Sequence, residues 1–367
     1  MKFQTSRETD RHEALSRRAF VTYGLAAAGL SEMGLSAGTA ASAMVSTLTG
    51  PVPCSSLGTI LIHEHILWFS GPKLTDPGYT PIPVELRSES VEFAVSLLNN
   101  AARVGIDTVV DLTPHRPIDL YQEIAKRTSV KIIPSTGFYR RQKIPKWMAD
   151  IDDEKQMEDR MLKEVVEGID GTSVRSGIIK VASERTPLTD WEKKVFRAAA
   201  RVQKATGVAI ATHSGSASAG EQYDSLVRTG GNPHRILLSH VDVGAAGHAD
   251  RLERLLSIVK QGGYLEVDTF GQEFYTPWSD LTSFLRYFCD AGFANRLFIS
   301  VDCNWHWENG KRLFEGAEAP SLDPNASKRT YAYMMTDAVP KLLRSGFSKK
   351  EIDTFLVDNP RRLFCTL

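Results

Sequence analysis

From Thr59 onward the chain repeats one pattern. A short, β-branched apolar run ends in a polar residue, and a longer amphipathic stretch follows. The runs are Thr59–His63, Thr108–Leu112, Lys131–Ser135, Gly177–Val181, Val208–His213, Ile236–His240, Gly263–Asp268 and Leu297–Asp302. Apolar runs of this length predict strands buried on both faces, as in a parallel sheet. Between them, Ser90–Val104 places Val91, Ala94, Val95, Leu97, Leu98, Ala101 and Ala102 at the spacing of one helix face. Trp191–Lys204, Arg251–Lys260 and Leu281–Ala291 are spaced alike, and Thr330–Arg344 and Lys349–Leu356 read as closing helices. Gly105, Gly207, Gly262 and Gly292 fall just past helical stretches, where a left-handed cap favours glycine. Eight strand–helix alternations predict an α/β fold, a single-domain (β/α)8 TIM barrel. A doubly wound open sheet is the alternative. It often carries a Gly-rich phosphate turn after its first strand, whereas here that turn is His63-Glu64-His65.

The first 45 or so residues follow another pattern. Ser16-Arg17-Arg18-Ala19-Phe20 is a twin-arginine motif, the run Val21–Leu35 is mildly apolar, and Ala41-Ser42-Ala43 offers small residues where a signal peptidase cuts. This order predicts a cleavable twin-arginine signal over 1–43, a mature barrel domain over 44–367, and a periplasmic or secreted destination. The apolar run is broken by Glu32 and is too short to be a stable membrane span.

Composition adds mainly exclusions. Lys plus Arg and Asp plus Glu both number 44, so nothing points to nucleic acid or an anionic membrane surface. Cys54, Cys289, Cys303 and Cys365 form no CxxC pair, which argues against a thiolate zinc site. They read as buried or idle thiols, with one unassigned disulfide left open for an exported chain.

In a barrel the strand C-termini converge on one face, so the polar strand-end residues belong together. Strand alternation turns His63 and His65 to one side and leaves Glu64 a structural role. The fifth, sixth and eighth strands end in His213, His240 and Asp302. Four imidazoles and a carboxylate on one face suit zinc or another first-row divalent ion. Lys180 closes the apolar run Gly177-Ile178-Ile179-Lys180-Val181, and burial disfavours its charge. Its amine either pairs with an acid such as Glu184 or takes up carbon dioxide to give a carbamate able to bridge two cations.

From about Thr49 to the C-terminus the sequence resembles the phosphotriesterase family of the amidohydrolase superfamily. The resemblance is carried by Gly50-Pro51-Val52-Pro53, Leu57-Gly58-Thr59, His63-Glu64-His65-Ile66 and Ser176-Gly177-Ile178-Ile179-Lys180-Val181-Ala182. It continues in Ala198-Ala199-Ala200, Gly207-Val208, Thr212-His213, Ser239-His240, Asp302 and Asn359-Pro360. It implies a (β/α)8 barrel with two divalent ions, usually Zn2+. His63, His65 and Asp302 would hold the buried ion, and His213 and His240 the exposed one. N6-carboxylysine at Lys180 and a hydroxide would bridge them. The implied reaction is attack of that hydroxide on an ester-type bond, with Asp302 accepting its proton.

Substrate residues follow the family less closely. Tyr139 falls where the family's lactonases place a tyrosine, so Lys180, Asp302 and Tyr139 are the catalytic candidates. Val267-Asp268-Thr269 lacks the Leu-Asp-Arg arginine of many members, and Val243 stands where an acid is often found three residues past the sixth-strand histidine; Asp242 lies two past it. Trp305-His306-Trp307 after Asp302 forms either an aromatic pocket wall or a packed lid. The expected substrate is a small neutral carboxylic ester or lactone, bound in a dry apolar pocket. An organophosphate triester is the alternative, and a catalytically idle binding protein on the same fold is a third reading. No nucleic acid partner and no stable membrane span are expected; a homodimer is left open.

Overall fold

The computed structural model describes residues 43–67, 82, 84–308, 311–314 and 328–365. The expected twin-arginine signal lies outside them. A hairpin of β1 (Met44–Thr47) and β2 (Gly50–Pro53) precedes the barrel. Eight parallel strands follow: β3 (Ile60–Glu64), β4 (Thr108–Asp111), β5 (Lys131–Phe138), β6 (Ile178–Ala182), β7 (Ala209–His213), β8 (Ile236–Ser239), β9 (Tyr264–Val267) and β10 (Leu297–Ile299). Each pairs with the next in sequence, and every expected apolar run overlaps a barrel strand, with β5 running three residues beyond the expected Lys131–Ser135.

Helices occupy the connections: α1 (Arg87–Arg103), α2 (Ile118–Ala125), α3 (Glu154–Val166), α4 (Asp190–Thr206), α5 (Gly215–Arg228), α6 (Ala249–Lys260) and α7 (Trp278–Asp290). Helix α4 shows how local chemistry sets the boundaries. Thr189 and Glu192 form a reciprocal capping box at its start. Trp191, Val195, Phe196, Ala199 and Val202 bury one face, and Gly207 ends it at φ +74°. The closing helices are less regular than their periodicity suggests. Wide turns at Met334–Ala338 and Thr354–Asp358 lead into α8 (Val339–Arg344) and α10 (Asn359–Cys365), with α9 (Lys349–Asp353) between.

Alternation along the strands divides the core in two. Leu61, Val109, Ile179, Ile210, Leu238 and Leu265 face the helices. Ile60, Val110, Ile133, Ile178, Leu237 and Phe298 belong to a separate inner cluster that fills the lower barrel. Two residues further along the inner face come Lys180, Glu266 and Ser300, so β6, β9 and β10 change from apolar to polar toward the C-terminal end.

The first and last strands share no ladder. Buried Glu64 joins them instead, accepting from Ser300 Oγ at 2.8 Å, Val301 N at 3.0 Å and Cys303 N at 2.7 Å. The His65 amide adds a bond to the Cys303 carbonyl at 3.0 Å. Burial pushes the Glu64 carboxyl well up, and these donors oppose the shift. The structural role expected of Glu64 is therefore the barrel seam.

One expectation needs correcting. Cys54 and Cys365 are not idle thiols: they form a disulfide across 311 residues of sequence, tying the segment before β3 to the last helix. Cys289 and Cys303 remain free. No helix among the described residues is long and apolar enough to cross a membrane.

Candidate metal centre

The strand ends bring His63, His65, Lys180, His213, His240 and Asp302 together. Ring centroids lie 5.5 Å apart for His63–His65, 4.8 Å for His63–His240 and 4.3 Å for His213–His240. Asp302 Oδ1 stands 3.2 Å from His65 Nε2 and 3.8 Å from His63 Nε2. Lys180 is fully buried, with Nζ 3.0 Å from His63 Nε2. The pairing of Lys180 with Glu184 does not occur. Glu184 forms an ion pair with Arg140 and sits 3.5 Å from His213 Nε2.

Each histidine is held by its Nδ1. That of His63 lies 3.0 Å from Glu266 Oε2 and 3.1 Å from Asp268 Oδ2. The partner is Thr113 Oγ1 for His65 at 2.8 Å, Tyr139 Oη for His213 at 3.2 Å, and Asp268 Oδ1 for His240 at 2.8 Å. Engaging Nδ1 fixes the ring and leaves the Nε2 lone pair for a cation. His240 Nε2 fits this arrangement: it is buried and has no hydrogen-bond partner. His63, His65 and Asp302 offer donor atoms within 4.8 Å of one another, as do His63, His240 and Asp268.

Charge points the same way. Asp302, Asp268 and Glu266 surround one lysine and four imidazoles. Burial pushes Lys180 down to about 8 and Glu266 up to about 7. Burial and Lys180 drive His63 down to about 3. Burial alone would raise Asp302, but His63, His65 and His240 hold it well below the usual carboxylate range. His240 goes the other way: burial opposes its charge, yet Asp268 raises it to about 9. Such a cluster of carboxylates and imidazoles is costly to bury without cations to neutralise it.

Backbone conformation also marks these strand ends. His240 and Asp302 have φ of +59° and +50°, and Asp170 is the only other non-glycine with positive φ among the described residues. Two of three such residues thus fall within one constellation, where strain is commonly held by a functional site.

Above the cluster opens a cavity of about 480 Å³. His65, His213, His240 and Asp302 reach its floor, and Tyr139 forms part of the wall. The lining is not the dry apolar one expected, since Arg140, Lys143, Glu184 and Arg251 all contribute. The loop after Asp302 is a packed lid. It forms a hairpin of β11 (Trp305–Glu308) and β12 (Lys311–Phe314). Trp305 stacks edge-on against Phe93 at 4.9 Å, and Trp307 Nε1 donates to Ser90 Oγ at 2.9 Å. Neither tryptophan nor His306 lines the cavity. Asp242 accepts from the Thr269 hydroxyl at Oδ2, while its Oδ1 is buried without a hydrogen-bond partner.

Sequence reasoning missed Glu266 and Thr113. A glutamate inside the apolar run Tyr264-Leu265-Glu266-Val267 was the available signal for the first. Thr113 carries no comparable mark.

A family profile described as "Phosphotriesterase family" matches residues 43–364. The "Phosphotriesterase homology protein" of Mycobacterium tuberculosis is 28% identical over 335 residues, covering 87% of this chain and 97% of the relative. The "Aryldialkylphosphatase" of Saccharolobus solfataricus is 28% identical over 324 residues, covering 85% and 96%. The solved organophosphorus hydrolase from Deinococcus radiodurans superposes with a TM-score of 0.75 at 30% identity, covering 90% of this chain and 100% of that one.

Proposed function

This chain belongs to the phosphotriesterase family, and on that premise we propose that it is a metal-dependent hydrolase of ester-type bonds with a two-ion centre. The preferred substrate is a carboxylic ester or lactone. One observation carries the reading: four histidines, each held at Nδ1, gather with Asp302 around buried Lys180 beneath the cavity.

His63, His65 and Asp302 would hold one ion, and His213 and His240 the other. Lys180 would help hold both as a carbamate: its neutral amine adds to carbon dioxide, the nitrogen–carbon bond forming as one C=O π pair moves onto oxygen, and the nitrogen gives up one proton. Bound there, two divalent cations, most simply Zn2+, supply Lewis acidity and lower the pKa of water from about 15.7 toward about 7. Glu266 and Asp268 orient His63, and Asp268 also orients His240. Asp302 accepts the proton of the attacking water and passes it to the open cavity. Tyr139, beside His213 in the cavity lining, positions that imidazole and meets the substrate.

The test is kcat/KM on a lactone panel beside paraoxon-like triesters, with protein stripped of metal and reloaded. Metal-dependent turnover that favours the lactones supports the reading. Preference for triesters would shift it to a phosphotriesterase, the activity that the name of the Saccharolobus relative implies. Turnover that survives metal removal, or none on either class, would overturn it.

The same reading sends the protein out of the cytoplasm through Arg17 and Arg18. The Cys54–Cys365 disulfide supports an oxidising destination. Periplasmic delivery of a reporter fusion after both arginines are changed to lysine would contradict it.

A further inference from the structure

The cavity wall is uneven in charge. Arg140, Lys143 and Arg251 line it, against Glu184 and the proposed ligand Asp302. Arg140 is neutralised by Glu184. Arg251, on α6, has no carboxylate within ion-pair distance among the described residues. Its Nη1 donates to the Gly244 carbonyl at 2.6 Å and lies 3.5 Å from Ser216 Oγ. The guanidinium is thus held in place with donors unspent.

The wall beside it has the same polarity. Ser214, Gly215, Ser216 and Ala217 line the cavity as the first turn of the 14-residue helix α5, and no side chain caps that end. The Ser216 amide is spent on the Val243 carbonyl at 3.2 Å, but the Gly215 and Ala217 amides have no intrahelical partner, and with the helix dipole they favour an anion there. Gln272, in the loop after β9, supplies an independent sign of a ligand. It is 3% exposed and lines the cavity, and its amide hydrogen-bonds to no other described residue. With the rest of the side chain buried, the amide is presented to the cavity, where a polar ligand would meet it. All these groups follow β7, β8 and β9, adjacent strands, so they share one side of the mouth.

We propose that this side is a subsite for an anionic group of the substrate, a carboxylate or sulfonate remote from the bond that is cut. The inference rests on the hydrolase reading and replaces a wholly neutral substrate with one that is neutral at the reacting carbonyl and negative at its far end. Arg251 and the α5 amides bind the anion, and Gln272 donates to it.

The test compares the mono-4-nitrophenyl ester of hexanedioate with 4-nitrophenyl hexanoate, which differ by the distal carboxylate. The expected ratio of kcat/KM favours the charged ester by about tenfold or more, and Arg251→Gln lowers that ratio by about tenfold through KM, with partial recovery in Arg251→Lys. Calorimetry of pentane-1-sulfonate against pentan-1-ol on the metal-loaded protein gives a readout that needs no turnover. The sulfonate should bind more tightly, and Arg251→Gln should remove the difference. If neither ester is cleaved, the hydrolase reading falls while calorimetry still decides the subsite. Equal binding of sulfonate and alcohol, or a preference lost in Lys143→Gln and kept in Arg251→Gln, would overturn it.

Discussion

The two ends of this barrel are built on opposite principles. At the N-terminal end, Leu57, Ile60, Ile133, Ile178, Leu237 and Phe298 interdigitate, and the Cys54–Cys365 disulfide ties the first segment to the last helix. The C-terminal end gathers three carboxylates, a lysine and four imidazoles below a cavity, with His240 and Asp302 in a left-handed conformation. One end holds the fold; the other departs from low-energy choices in order to place donor atoms. The lesson is that stability and chemistry are separable here, because alternation puts them in different layers of the same strands.

That separation can be broken in four ways. The largest effect belongs to the mouth: Asp302→Asn should lower turnover by about 10²–10⁴-fold while the protein stays folded by circular dichroism. At the bottom, Phe298→Ala should cost about 3–5 kcal/mol in denaturant unfolding. Its kcat per folded molecule should hold, and a matching fall in kcat would mean the two layers are coupled. Replacing Cys54 and Cys365 together with serine should cost about 2–4 kcal/mol, seen as a lower Tm, with KM unaffected. The smallest expected effect lies at the same strand end. Asp302→Gly relieves a left-handed φ but deletes the carboxylate paired with His63 and His65, so the stability of the metal-free protein should change by no more than about 1 kcal/mol while turnover is abolished. A much larger loss would show that the ion pairs outweigh the strain at that strand end.

Legibility in the sequence followed the same division. The apolar runs located all eight strands, because a strand buried on both faces must be apolar almost throughout. Helices with a wide apolar stripe were legible too, as at Trp191–Lys204. Helix α5 was not, since Gly215-Ser216-Ala217-Ser218-Ala219-Gly220 holds little that favours a helix and its placement depends on tertiary packing. The six clustered residues were legible as strand ends, but not what holds them. Asp268 was visible as a strand end, yet its double hold on His63 and His240 depends on spacing between strands. The disulfide spans 311 residues, and no local pattern encodes such a contact. Trp305 and Trp307 were ambiguous for a similar reason, because only Phe93 and Ser90, on a distant helix, decide that they pack rather than line the cavity.

The central claim is that Lys180 sits between two cations as a carbamate. The direct measurement is metal content by plasma mass spectrometry on freshly prepared protein, with intact mass under native conditions and the same pair of measurements on Lys180→Ala. The account predicts about two divalent ions per chain, a mass gain of one carbon dioxide that disappears in the variant, and loss of metal with it. Full turnover by a protein holding one ion and an unmodified Lys180 would contradict it.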